Sequence, residues 1–264
     1  MATIRVDGAE LSFHCAGAGP TTLAFVHGWC SKAAHWDAQV GPFAARRQVL
    51  RWDRRGMGRS TAGAASAAAP ATAQRHADDL AALLDHLGVD EAVVVGHAGG
   101  GPSALTFAVN YPDRTQALIL VDTRLHAVPT GGQPDGWAAA LEGSIAQISG
   151  PGGDEHLRAM YAGFFGPRAD PAVVADAVAN ALATPREVAA GEIRHMVADT
   201  AELARQVRCP VLWVSAQPQD SEFTQAAFAD VTIGHVVGSG HFVQLEVPDQ
   251  LNPMIEAFLT DRGL

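Results

Sequence analysis

The chain has 264 residues, 48% hydrophobic and 17% charged, a globular rather than disordered balance with enough length to bury a sizeable core. A formal charge of −10 argues against nucleic acid or an anionic membrane as a partner, since both need a basic patch. No apolar run approaches the roughly 18 residues of a bilayer span, the start Met1-Ala2-Thr3-Ile4-Arg5 lacks the regions of a signal peptide, and Cys15, Cys30 and Cys209 are too scattered for a disulfide framework or a zinc site. The expectation is a cytoplasmic enzyme of undetermined oligomeric state acting on a small molecule, with no metal and no cofactor.

Taken in chain order, Ile4 to Val6 and Leu11 to His14 flank Asp7-Gly8 and predict an antiparallel hairpin. Apolar strands then alternate with helical stretches. Leu23 to Val26, Val49 to Trp52, Ala92 to Val95, Ala117 to Val121, Val211 to Val214 and His235 to Val237 are the predicted strands. Continuous runs such as Ala117-Leu118-Ile119-Leu120-Val121 suit strands covered on both faces. Leu80, Leu83, Leu84 and Leu87 recur at helical spacing before Gly88, a helix stop. Ala62 to Ala73 is an alanine-rich surface loop. The alternation predicts an α/β fold, a mostly parallel sheet with helices on both faces. It breaks once: residues 125–208 hold no convincing strand and read as a helical lid inserted into a core of residues 1–124 and 209–264. Such an insertion covers the strand C-terminal ends, where ligands bind in open α/β sheets.

The stretch Gly96-His97-Ala98-Gly99-Gly100 sits between a predicted strand and the helix opened by Pro102. Strand, sharp turn and helix with flanking glycines is the context of the nucleophile elbow, whose centre should carry a hydroxyl or thiol. Here the centre is Ala98. Three further patterns follow strands: His27-Gly28-Trp29-Cys30, Asp53-Arg54-Arg55-Gly56-Met57-Gly58-Arg59-Ser60, and Gly238-Ser239-Gly240-His241-Phe242. Together the four resemble the α/β-hydrolase family over nearly the whole chain.

That resemblance implies a serine hydrolase cutting an ester, lactone or related acyl bond. It implies His241 as general base and the backbone N–H groups of Trp29 and Gly99 as the oxyanion hole, leaving position 98 without its nucleophile. Two aspartates compete for the acid. Asp122 ends the predicted strand Ala117 to Val121, while Asp220 follows Val211 to Val214 one residue later than the usual turn; Asp122 is placed ahead. Asp53 and Arg54 are read as braces of the glycine turn, His27 as a turn residue, Cys30 as unreactive, and His76, His86, His156 and His195 as surface residues of helices. In the lid, Trp137, Tyr161, Phe164 and Phe165, with Met160 and Met196, are either the lid's own packing or the wall of an apolar or aromatic substrate site.

Ala98 leaves three readings open. In the first, the natural motif is completed by serine, and alanine here is a disabling substitution. In the second, the chain works through a histidine–aspartate pair alone. Gly28-Trp29-Cys30, Asp122, Ala216-Gln217-Pro218 and His241-Phe242 are similar to cofactor-independent dioxygenases of N-heteroaromatic substrates, but those carry a histidine where this chain has Ser31, and they keep the elbow serine. In the third reading the protein is a ligand-binding relative that has lost catalysis.

Overall fold

Asp7, at φ 45°, and Gly8, at φ 78°, reverse the chain between β1 (Ala2–Val6) and β2 (Ala9–Ala16), the hairpin that opens the sheet. The computed structural model describes residues 1–63, 72–127, 136–194, 196, 199–216 and 221–264. Most of the alanine-rich loop lies outside that set, as do Asp220, His195 and the side chain of Trp137.

After the hairpin come β3 (Thr22–Val26), α1 (Asp37–Ala44), β4 (Gln48–Trp52), α2 (Ala73–Leu87), β5 (Ala92–His97), α3 (Gly101–Asn110) and β6 (Thr115–Val121). Five helices follow: α4 (Gly136–Ser149), α5 (Gly153–Gly163), α6 (Pro171–Ala183), α7 (Arg186–Ile193) and α8 (Thr200–Gln206). The chain closes with β7 (Val211–Ser215), α9 (Ser221–Ala227), β8 (Val231–His235), α10 (Val243–Glu246) and α11 (Pro248–Asp261). The strands form an eight-stranded sheet in the order β1-β2-β4-β3-β5-β6-β7-β8. Among the described residues, β2 pairs antiparallel with β1 and β4, and the remaining pairings are parallel.

The continuous apolar runs follow from cover on both faces. Val94, Leu118 and Leu120 pack with Leu80, Leu84 and Phe107 on one side, while Val93, Val95 and Ile119 pack with Phe43, Ile255 and Leu259 on the other. Alternate residues of each central strand therefore serve opposite cores. Gly88 ends α2 in the left-handed conformation, at φ 66°.

The last strand departs from the sequence expectation. The strand is Val231–His235, pairing with β7 from Val211 to Ser215, and not His235 to Val237. An edge strand has no continuous core to fill, so its Val-Thr-Ile-Gly-His pattern is weakly apolar, whereas Val237 is 78% exposed at the exit. The helices between β6 and β7 build a third cluster, in which Ile145, Ile148, Leu157, Tyr161, Ala181 and Ile193 meet Trp29, Cys30 and Phe242 of the core loops. The two ends of the 125–208 segment pack differently: Leu125, Ala204 and Val207 join the cluster beneath the sheet.

Candidate functional site

The elbow is built by close approach. A Cβ on Gly96 would lie 2.8 Å from Ala104 Cβ and 3.0 Å from the Cα of Gly101, so β5 and α3 can meet at this distance only over a bare backbone. Between them Ala98 to Gly100 form one tight turn, and Ala98 has φ 49°. That left-handed conformation costs a residue with a Cβ roughly 1–2 kcal/mol. The turn abuts the loop after β3. A Cβ on Gly28 would lie 3.4 Å from the Ala98 methyl, and one on Gly99 would lie 3.1 Å from the Trp29 nitrogen. The backbones of residues 29 and 99 are thus neighbours beside Ala98.

His241 arrives from the loop after β8, its backbone N–H donating to the Phe164 carbonyl at 2.7 Å. Its Nδ1 donates to Asp122 Oδ2 at 2.6 Å. Asp122 sits one residue past β6, with φ 45°, and its Oδ1 accepts the Ala216 N–H at 2.9 Å. Burial opposes ionisation of this carboxyl, but the hydrogen bond and charge of His241, with the Ala216 N–H, hold it below the usual aspartate value. With Nδ1 committed to Asp122, Nε2 is the ring nitrogen left for chemistry, and the side chain keeps 30% exposure. Beneath it, His97 Nε2 donates to the His241 carbonyl at 2.9 Å. Burial, followed by the charge of His241, lowers His97 to about 3, so it is neutral at ordinary pH.

A cavity of about 580 Å³ opens over these groups, lined by Trp29, Ala98, Gly99, Asp122 and His241 and walled by Met160, Tyr161, Phe164, Phe165, Met196 and Phe242. Tyr161, Phe164 and Phe165 line the cavity and also pack in the cluster built by the helices between β6 and β7. The Tyr161 hydroxyl donates to the Trp29 carbonyl, and Trp29 Nε1 donates to the Ala189 carbonyl at 2.8 Å, so α5 and α7 both grip the loop that carries residue 29.

Asp53 accepts the N–H groups of Ala33, at 2.6 Å, and Arg59, at 3.0 Å, and so ties its glycine turn in place. Arg54 does something the sequence did not suggest. Its guanidinium leaves the turn, donating to Gly28 O at 2.8 Å and meeting Glu192 Oε2 at 3.0 Å. His76, expected on the surface, is 2% exposed and lies 2.7 Å from Glu192 Oε1. It is internal because α2 turns that position toward the sheet, and the buried carboxylate supplies a partner. No sequence signal marks the contact, since Glu192 stands 138 positions from Arg54 and 116 from His76. Burial, then the charge of Glu192, pushes the Cys30 thiol well above its usual range, which fits an unreactive cysteine. Among the described residues no group of His, Cys, Asp or Glu could hold a metal ion, and no helix is long and apolar enough to cross a membrane.

Known proteins carry the same frame. Residues 21–248 match the family model of the alpha/beta hydrolase fold. The chain is 35% identical over 126 residues to "Putative carbamate hydrolase RutD" of Caulobacter sp. (strain K31), an alignment covering 46% of this chain and 45% of that protein. It is 27% identical over 279 residues to a protein of the same name from Azorhizobium caulinodans, with 95% of each covered. The match to the Caulobacter relatives thus spans less than half of their length. A thermophilic esterase from Thermogutta terrifontis has the same fold, with a TM-score of 0.85, 24% identity and 99% of both chains covered. The family match over most of the chain, on an eight-stranded sheet of this order, makes the conclusion plain: the protein is a member of the α/β-hydrolase fold family.

Proposed function

We propose that the cavity is the site of a hydrolase of an ester, lactone or related acyl bond, carbamates included, in which alanine stands where the nucleophile's oxygen is required. One observation carries this reading: the His241–Asp122 pair and the backbone of residues 29 and 99 converge on a left-handed elbow whose centre is Ala98. A pure binder has no need of a general base held at 2.6 Å by a buried carboxylate.

With a hydroxyl at position 98, the substrate carbonyl would sit between that oxygen and the Trp29 and Gly99 N–H groups. His241 Nε2 takes the hydroxyl proton as the oxygen attacks, and the two N–H groups stabilise the negative charge arriving on the carbonyl oxygen. Asp122 holds the ring tautomer and stabilises the imidazolium, which then protonates the leaving group. The aromatic and methionine wall favours an apolar or aromatic acyl or alcohol group. The chain as it stands binds such substrates and forms no acyl-enzyme.

The test is Ala98→Ser assayed on p-nitrophenyl acetate and butyrate. The variant is expected to show a burst of p-nitrophenol followed by turnover, and adding His241→Ala should remove about 10³-fold or more of that rate. A folded Ala98→Ser protein that is inert on short and medium acyl chains would overturn the proposal.

A further inference from the structure

Three contacts that involve side chains surround the Gly28 carbonyl and have no part in the proton transfers above. Arg54 Nη2 donates to Gly28 O at 2.8 Å, and His27 Nδ1 donates to the same oxygen at 2.9 Å. The backbone N–H of Arg54 donates to His27 Nε2 at 2.8 Å. That last contact assigns the tautomer: Nε2 accepts, so Nδ1 carries the hydrogen that reaches Gly28 O. Burial, then the nearby Arg54 charge, keeps this imidazole neutral.

The Gly28 carbonyl and the Trp29 N–H belong to one planar peptide unit. Donors placed on the oxygen draw density through the amide, which strengthens its N–H as a donor on the opposite edge. They also fix the plane, and hence where the N–H points. Arg54 is 1% exposed, so its charge acts through little solvent. Its own position is set from the inserted helices, because Glu192 at the end of α7 holds Nη1 and is held in turn by His76.

We propose that Arg54 is a positioning residue that orients and polarises the Gly28–Trp29 peptide for the oxyanion, and that Glu192 makes this depend on the seating of α7; the inference rests on the acyl-bond reading above. Arg54 acts through the peptide and makes no contact with substrate.

The experiment uses the Ala98→Ser enzyme, p-nitrophenyl acetate and the matching thiono ester, whose sulfur is a poor acceptor for the oxyanion donors. Arg54→Met is combined with Glu192→Gln, so that no carboxylate is left buried without its cation. The expected result is a roughly tenfold fall in kcat on the oxygen ester with KM within about twofold, smaller than the loss from deleting a donor outright. The fall on the thiono ester should be markedly smaller. Arg54→Lys is the conservative arm: it keeps a charge opposite Glu192 but cannot span both partners, and it should show the same selective loss in milder form. This arm decides the matter if the double variant lacks a cooperative unfolding transition. Equal losses on both esters, a loss confined to KM, or no loss would overturn the inference while leaving the acyl-bond reading intact. An inert Ala98→Ser parent would take down both together.

Discussion

Among the described residues, two short histidine–carboxylate contacts are nearly alike in length and unlike in surroundings. His241 and Asp122 meet at 2.6 Å, His76 and Glu192 at 2.7 Å. In the first pair the imidazole keeps 30% exposure and faces a cavity of about 580 Å³. In the second, both side chains are at most 4% exposed, and Arg54 Nη1 lies against both carboxylate oxygens, at 3.1 Å from Oε1 and 3.0 Å from Oε2. Burial and the Arg54 charge lower the His76 pKa, with Glu192 opposing. The difference teaches that a short histidine–carboxylate contact is not by itself a base. What distinguishes the first pair is a ring nitrogen left open beside the cavity; the second neutralises charge inside a joint between helices.

Substitutions can break this contrast. The largest effect is expected from Asp122→Asn in the Ala98→Ser enzyme, which should cost about 10³-fold in kcat or more by releasing the tautomer, with little change in thermal stability. Kinetics and a melting curve on the same sample check both halves; a loss below about tenfold would demote Asp122. The opposite split is expected for His76→Leu. Removing the partner of a buried carboxylate should destabilise the fold by about 1–3 kcal/mol, read as a fall of roughly 2–4 °C in Tm per kcal/mol, with kcat much less affected. A His76 variant that loses activity as severely as the Asp122 variant would erase the distinction.

The smallest effect concerns His97. Its folded value of about 3 lies below the unfolded value of 6.5, so between them the unfolded chain binds the extra proton. Its contribution is intact above pH 6.5 and is lost as pH falls toward 3. Urea midpoints measured at pH 7 and at pH 5 should therefore converge in His97→Asn relative to the parent. An unchanged gap would mean that His97 takes up its proton in the folded state as easily as in the unfolded one.

The sheet was legible in the sequence because its central strands are covered on both sides, which leaves short β-branched runs such as Val93-Val94-Val95. The final strand was misplaced because β8 lies at the edge, where the apolar signal thins, and the Val236-Val237 stretch after it, buried at Val236 and exposed at Val237, imitates a strand. At the candidate site, the elbow and His241 were legible because glycines flank both. Sequence order left Asp122 and Asp220 to compete, and the contact that bears on this is a distance across 119 positions; Asp220 itself lies outside the described residues. Arg54 and Glu192 were illegible for the same reason. Nothing near either residue in the chain announces a partner that folding brings from another element.

Ala98 holds a left-handed backbone with only a methyl group to show for it. The shape is imposed by Gly96 against α3 and by the loop at residue 28, not by a hydroxyl. The shape of the turn therefore does not depend on an oxygen at position 98. In the genetic code every alanine codon lies one first-position base change from a serine codon. A lineage carrying this chain stands a single nucleotide from placing an oxygen on a scaffold already shaped for it.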